Sequence, residues 1–316
     1  MEVLFRLSTL FIDVVFPWVV GYFFSQSKYR SDKLCAHLLN LNLFLLWPLL
    51  GLFSIWSIKL ERSLMLLPVL GIIHYAVPGL IGWYECKNKL ESPANQGSYF
   101  LTALMPNNIT IGFISSFILF GEAGVALTQI MTLAVMPINF LICYPLGQYF
   151  GSLANDEKGE CPGFKSLFLS KNQLSTLGIF VGLLLNFSGQ ERPEIFSPLL
   201  AGMVHLSAWA FLFSVGHSMN FSAMTKYWKI SLGILKYKFL VAPLTIAIGA
   251  YLFFDSPTII GTAIVIGFSP VAIFSIVISQ TYKLNHHLAI AAVLVSHIAF
   301  AAVVFPILIF TKDWLW

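Results

Sequence analysis

Residues 99–120 read YFLTALMPNNITIGFISSFILF, an apolar stretch with Pro106, Asn107 and Asn108 near its middle. About 20 mostly apolar residues are needed to cross a bilayer as a helix. Proline removes a helical hydrogen-bond donor and clashes with the preceding turn. Two adjacent asparagines at membrane depth are costly unless they face a cavity or a partner. The stretch therefore predicts a membrane-spanning helix that is broken into two half-helices at Pro106.

A second break is predicted at GFSPV, residues 267–271, inside the apolar stretch of residues 258–279. If the two broken segments cross, the positive ends of half-helix dipoles and free backbone N–H groups meet at one point. Such a point suits a carboxylate that is held without a basic side chain. Candidate binding residues at this crossing are Pro106, Asn107, Asn108, Ser269 and Pro270. The alternative is a pair of proline kinks, with the asparagines bonded to neighbouring helices.

The chain as a whole is too apolar for a soluble fold. Of its 316 residues, 58% are hydrophobic and 10% are charged, and the mean hydropathy is +0.82. A soluble domain carries about 25% charged residues and covers its core with polar groups. We therefore predict an all-α integral membrane protein with about ten transmembrane helices. The apolar stretches lie near residues 8–26, 34–57, 63–84, 98–120, 125–150, 173–189, 197–221, 229–254, 257–281 and 287–311.

The longest polar stretch divides these spans into two groups of five. We predict a first repeat at residues 1–150, a cytoplasmic linker at 151–172 and a second repeat at 173–316. Because five is odd, the second repeat enters the membrane from the opposite side, as in the inverted repeats of many secondary transporters. Three proline pairs support the repeat: Pro78 and Pro243, Pro106 and Pro270, and Pro145 and Pro306 are 165, 164 and 161 positions apart.

The basic residues predict the orientation, because short cytoplasmic loops carry the excess of lysine and arginine. With the N-terminus outside, eleven basic residues fall on inner loops: Lys28, Arg30, Lys33, Lys87, Lys89, Lys158, Lys165, Lys171, Lys226, Lys229 and Lys283. Five fall outside: Arg6, Lys59, Arg62, Arg192 and Lys312. We therefore predict a multi-pass protein of the inner or plasma membrane with both termini outside. The net charge of +4 follows from this distribution and does not indicate a nucleic-acid partner.

Ionisable residues inside membrane spans are functional candidates by default. Asp13, His205, His217 and His297 are candidates for ion or proton coupling, since histidine titrates near neutral pH. The alternative for each histidine is a hydrogen-bonded packing role, and for Asp13 a wet interfacial position. Lys236 and Lys238 are predicted to extend toward the inner surface. The four cysteines show no C-x-x-C spacing, so neither disulfides nor a metal site nor a cofactor is expected.

Spans four and five carry a resemblance to a known family. Pro106-Asn107, Gly112, Gly121-Glu122, Gly124 and Gln129 follow the order and spacing seen in plant PIN auxin carriers. Looser similarity occurs at Pro48-Leu49-Leu50, at residues 238–243 and at Pro270. Over essentially its whole length, the chain resembles the auxin efflux carrier (PIN-like) family of the bile/arsenite/riboflavin transporter superfamily. It departs from the plant pattern at two positions. Where the plant carriers have glutamine after the proline of span nine, this chain has Val271, and where they have serine in span two, it has Gly51.

The resemblance implies two inverted five-helix repeats with broken helices 4 and 9 that cross. A scaffold of spans 1, 2, 6 and 7 would support a transport domain of spans 3–5 and 8–10, which moves like an elevator. The substrate would bind at the crossing, with Gln129 directed toward it. Family substrates are organic anions, including indole-3-acetate and dicarboxylates. The expected partners are thus a small organic anion, membrane lipid and, as an open option, a second copy in a homodimer.

Three other functions compete with this one. A sodium-coupled symporter of the bile-acid type shares the architecture, but its acidic and Gln-Asn residues are missing around Pro270. A membrane enzyme needs paired carboxylates or a metal cluster, and no Asp-rich, His-Glu-x-x-His or Gly-x-Ser-x-Gly motif occurs. A sensor that binds without transporting remains open. The sequence therefore favours a non-enzymatic transporter.

Overall fold

The computed structural model describes residues 2–59, 62–155, 174–219 and 221–315, and every regular element in these ranges is helical. We number the α-helices α1 (Glu2–Leu10), α2 (Phe16–Gln26), α3 (Asp32–Leu41), α4 (Trp47–Ser57), α5 (Leu67–Lys89), α6 (Pro93–Leu104), α7 (Phe113–Met131), α8 (Val135–Ile138), α9 (Tyr144–Asn155), α10 (Leu174–Phe187), α11 (Phe196–His217), α12 (Phe221–Lys236), α13 (Ala242–Phe253), α14 (Pro257–Gly267), α15 (Phe274–Thr281), α16 (His286–Ala299) and α17 (Phe305–Leu315). The predicted all-α fold is confirmed for these residues.

Wide π-helical turns interrupt most of the long helices. They span Phe11–Val15, Asn42–Leu46, Asn108–Gly112, Asn139–Cys143, Tyr237–Val241 and Phe300–Val304. All but the third are followed by a helix whose second residue is proline: Pro17, Pro48, Pro145, Pro243 and Pro306. A proline has no N–H and crowds the carbonyl four residues before it, and the wider turn gives that carbonyl room. The prolines therefore determine where these helices widen.

Seven described helical runs are long and apolar enough to cross a membrane. They are Leu4–Gln26, Asp32–Ser57, Leu64–Lys89, Asn108–Ala134, Phe196–His217, Thr225–Phe253 and His286–Lys312, with shorter apolar helices at Leu177–Phe187 and Pro257–Gly267. Large apolar side chains are exposed on these helices, among them Phe23, Leu80, Leu184 and Leu252. The described chain is therefore built as an all-α membrane protein, and the count of ten spans stays a prediction.

One of these seven runs bends sharply at Gly121. The residue has φ 61° and ψ −146°, a backbone conformation that side chains with a Cβ rarely adopt. The chain therefore changes direction between the first part of α7, which ends at Phe120, and the second part, which begins at Glu122. The sequence prediction placed the boundary between spans four and five in this region.

Glycines let two pairs of helices pack with their backbones in contact. α2 packs on α11. A Cβ added to Gly21 would lie 2.0 Å from the Phe213 carbonyl oxygen, and one added to Gly216 would lie 2.0 Å from the Trp18 carbonyl oxygen. α4 packs on α10, where a Cβ on Gly178 would lie 2.1 Å from the Pro48 carbonyl oxygen. Small residues commonly allow such close approach between membrane helices. One helix of each pair, α11 or α4, contributes a residue to the cavity described below.

The predicted linker lies mostly outside the described residues. Helix α9 continues to Asn155, so the first five residues of the segment 151–172 are helical. The remainder of that segment, with Lys158, Cys161, Lys165 and Lys171, lies outside the described ranges.

Candidate site at the helix crossing

The two predicted helix breaks lie directly against each other. α6 ends at Leu104 and α14 ends at Gly267, and the extended residues that follow run antiparallel, with Pro106 beside Val271. The Asn107 amide nitrogen donates to the Pro270 carbonyl at 2.7 Å, and the Ala272 amide nitrogen donates to the Met105 carbonyl at 2.8 Å. Because a helix break in lipid leaves backbone groups without partners, each segment here supplies the partners that the other has lost.

A cavity of about 250 Å³ adjoins this crossing. Crossing residues and the start of α15 line part of the cavity, and further lining residues lie on α3, at the start of α4 and on α11. The lining residues are Leu39, Trp47, Tyr75, Met105, Pro106, Asn107, Ile109, Thr110, Val135, Asn139, Phe211, Ala272, Ile273, Phe274 and Val277. The wall is mostly apolar and aromatic with a few polar groups, as in many small-molecule sites.

Few polar side chains line the cavity, and two of them are asparagines. Asn107 and Asn139 are both 5% exposed, and the Asn139 side-chain oxygen has no partner among the described residues. The Trp47 indole nitrogen donates to Ser207 at 3.1 Å, which orients this ring in the cavity wall. A buried polar atom without a partner is unfavourable, so the Asn139 oxygen favours a ligand or water at this point.

The electrostatics of the cavity depend on helix ends more than on charged side chains. None of the lining residues that the structure describes is acidic or basic. The start of α15 contributes Ile273 and Phe274, and the π turn that begins at Asn108 contributes Ile109 and Thr110. Both are N-terminal helix ends, which carry positive partial charge and attract anions. These two helix ends therefore contribute positive partial charge to the cavity wall.

Lys238 is buried beside this region, which corrects the sequence prediction. Its side chain is fully buried, and the amino group donates to the Ala103 carbonyl at 2.7 Å. Ala103 lies in the last turn of α6, where helix carbonyls lack intrahelical partners. Lys238 therefore stabilises a half-helix end instead of extending to the surface. Lys236, by contrast, is partly exposed and pairs with Glu85.

Each asparagine after Pro106 is bonded to a histidine from another helix. The Asn107 side-chain nitrogen lies 3.0 Å from Nε2 of His297 on α16. The Asn108 side-chain nitrogen lies 3.3 Å from Nδ1 of His74 on α5. Asn107 lines the cavity and Asn108 does not. The structure therefore distinguishes two residues that are adjacent in the sequence.

Of the six predicted binding residues, Pro106 and Asn107 line the cavity. Pro270 contributes its carbonyl to the crossing. Ser269 is buried against Gly112, and its hydroxyl oxygen lies 2.8 Å from the position that a Cβ on Gly112 would take. Gln129 lies on the second part of α7, partly buried, and is not among the lining residues.

Two of the four coupling candidates, Asp13 and His205, are bonded to each other, and of the four only His297 is bonded at the crossing. Asp13 is buried in a π turn and accepts from His205 at 2.6 Å and from the Trp209 indole at 3.2 Å. His217 lies 2.8 Å from Asp32 at the start of α3. Asp13 is therefore a buried hydrogen-bond acceptor between the first long helix and α11, not a wet interfacial residue.

Sequence reasoning did not single out Asn139, Thr110, Tyr75 or the aromatic residues Trp47 and Phe211, all of which line the cavity. A signal was present for Asn139, because a polar residue within an apolar span is a functional candidate. The aromatic residues carried no such signal, since the chain contains 29 phenylalanines, 11 tyrosines and 8 tryptophans.

Comparison with protein-family models finds no matching family, and comparison with curated proteins finds no significant relative. The helices and the site define the class as an all-α membrane protein with a cavity at crossed helix breaks. The resemblance to auxin efflux carriers remains a prediction.

Proposed function

We propose that this protein is a secondary transporter, an auxin-efflux-carrier-like permease, that moves a small organic anion across the membrane. The observation that carries the proposal is the cavity at the crossing. Two helix N-termini and Asn107 adjoin it, and none of the described residues that line it is charged. A carboxylate would take hydrogen bonds from these groups, and the apolar wall would take the organic body. The substrate site is thus the crossing of the predicted helices 4 and 9.

Helix packing supports the ten-span inverted repeat. In that arrangement spans 1 and 2 correspond to spans 6 and 7, so a contact between spans 1 and 7 implies one between spans 6 and 2. Both contacts occur: α2 of span 1 packs on α11 of span 7, and α10 of span 6 packs on α4 of span 2. Pro145 and Pro306 also share one local structure, since each follows a π turn at the second residue of a helix. Pro78 and Pro243 do not, because Pro78 lies within α5 without a preceding π turn.

An ion pair connects the two groups of helices that an elevator movement would displace. Arg192 donates to the Phe53 carbonyl at 2.9 Å and to Ser197 at 2.7 Å, both in the proposed scaffold. It also donates to Glu122, next to Gly121 in the proposed transport domain, at 2.5 Å. Alternating access by an elevator would require this contact to break during each cycle.

Uptake into proteoliposomes tests the proposal directly. The panel is indole-3-acetate, pyruvate and malate, with indole-3-acetamide as the uncharged control and protein-free vesicles as the background. We expect at least one carboxylate to accumulate above background and the amide to remain at background. Replacement of sodium by choline distinguishes a sodium-coupled symporter, which would lose uptake. Background uptake of every carboxylate would contradict the proposal, and binding without uptake would identify a sensor.

Both termini are expected to face outward, because eleven basic residues map to inner loops and five to outer segments. A C-terminal reporter that is active only in the cytoplasm should therefore be silent. A periplasmic or extracellular reporter at the same position should be active. The reverse pattern would show that the number of spans before the reporter is wrong by one.

A further inference from the structure

The hydrogen bonds of His297 determine which of its nitrogens carries a proton. Nδ1 lies 2.8 Å from the Val293 carbonyl oxygen, and a carbonyl only accepts, so Nδ1 is the donor. In the neutral ring Nε2 is then the acceptor, and it receives a hydrogen bond from the Asn107 side-chain nitrogen at 3.0 Å. His297 is 3% exposed. The bonds seen here thus correspond to a neutral ring with one defined tautomer.

A proton on Nε2 would reverse the bond to Asn107. Protonated Nε2 needs an acceptor, and the amide nitrogen of Asn107 cannot accept. The amide must therefore rotate so that its oxygen faces His297. Its nitrogen, with both hydrogens, is then free for another acceptor. Because Asn107 lines the cavity, this rotation would change what the site offers to a ligand.

The groups around the His297 ring offer no negative charge. The indole ring of Trp18 lies 5.8 Å away between centroids, and its buried N–H has no partner among the described residues. No described carboxylate is in salt-bridge contact with His297. The nearby Ser296 hydroxyl accepts from the Val271 amide, Lys238 is bonded to Ala103, and Lys236 is bonded to Glu85. A buried positive charge without a partner is costly, so a proton on His297 favours an anion beside it.

We propose that His297 is the binding site of a co-transported proton and that Asn107 couples this proton to the anion. This inference rests on the proposed function of the cavity. A proton from one side of the membrane binds Nε2, the Asn107 amide rotates, and its two N–H groups bind the carboxylate. Release of the proton on the other side reverses the rotation and releases the anion. Because coupling is reciprocal, anion and proton each strengthen the binding of the other.

The other candidate histidines lack this arrangement. His205 is bonded to Asp13, and His217 is bonded to Asp32. His74 is bonded to Asn108, which does not line the cavity. His205 is therefore the matched control, since it is also a histidine with one side-chain partner on another helix.

Nuclear magnetic resonance of protein labelled with ¹⁵N in the histidine rings tests the proton site without any need for transport. The His297→Gln variant identifies the His297 signal. We expect acidification to protonate this ring. At a pH where only part of this ring is protonated, indole-3-acetate or malate should increase its protonated fraction and indole-3-acetamide should not. Asn107→Ala should abolish the increase. A ring that stays neutral until the protein unfolds, or bound anion without added protonation, would overturn the inference.

A transport measurement separates this inference from the proposed function. An inward gradient of about one pH unit should accumulate a co-transported monoanion such as pyruvate about tenfold, since this gradient is worth about 1.4 kcal/mol. His297→Gln should lose the accumulation, and His205→Gln should keep it. Gradient-driven accumulation in His297→Gln would overturn the inference while leaving the transporter in place. If no anion is transported at all, the proposed function fails, and the ring titration still decides whether His297 takes a proton.

Discussion

Asn107→Ala should weaken binding of the transported carboxylate by about ten- to a hundredfold. Loss of a hydrogen bond to a charged group costs about 1.5–3 kcal/mol, and each 1.4 kcal/mol is about tenfold in affinity. The variant should still fold, because the backbone of residue 107 is held independently of its side chain. Its amide donates to the Pro270 carbonyl, and its carbonyl accepts from the Gly112 amide. Binding of the best carboxylate of the transport panel to purified protein, measured by calorimetry, gives the comparison.

Asn108→Ala is the control for this substitution. Asn108 has the same side chain one position later, is equally buried, and is bonded to His74 outside the cavity wall. We expect it to change carboxylate affinity much less than Asn107→Ala, even if both variants lose similar stability. Equal affinity losses, or unchanged binding in a folded Asn107→Ala protein, would remove Asn107 from the site and favour the interpretation of the prolines as structural kinks.

Gly216→Ala should destabilise the protein strongly although it adds only one methyl group. The added Cβ would lie 2.0 Å from the carbonyl oxygen of Trp18, so the backbones of α2 and α11 must separate. Overpacking of this kind typically costs about 1–3 kcal/mol. Thermal unfolding of the purified protein in one detergent, followed by circular dichroism, should show a lower midpoint temperature than the wild type.

Gly202→Ala on the same helix is the matched control, because no atom of the described residues lies within 4 Å of the position of its Cβ. Both substitutions add the same methyl group to a helix, so the intrinsic helix preference for alanine applies to both. We expect Gly202→Ala to equal or exceed the wild type in stability. If the two variants unfold at the same temperature, the close contact between α2 and α11 does not exist in the protein.

Much of the local structure followed from residue types. Prolines 106 and 270 predicted helix breaks because a proline lacks the donor that a continuous helix needs, and both breaks occur. The π turns before five other prolines were not predicted, although the same physical property of proline causes them. Predicted span limits also missed the early start of the first helix at Glu2, where polar residues precede the apolar run.

The candidate site was predicted only in part. Pro106 and Asn107 were identified because a proline and an amide at membrane depth are unusual in any apolar span, and both line the cavity. Gln129 was assigned from a resemblance to other sequences, and it lies outside the cavity wall. Lys238 was expected at the surface because lysines near span ends usually reach water. Its burial depends on the Ala103 carbonyl, which is 135 positions away in the chain.

The sequence by itself determined that the chain is an all-helical membrane protein and where two of its helices break. Composition, apolar length and proline act through neighbouring residues and the solvent, so they can be read along the chain. Only the tertiary structure decided that the two breaks meet, that Asn107 and not Asn108 lines the cavity, and that His297 is its partner. These relations join residues that lie as far as 190 positions apart in the chain. They depend on which helix faces pack together, and no local pattern of residues specifies that.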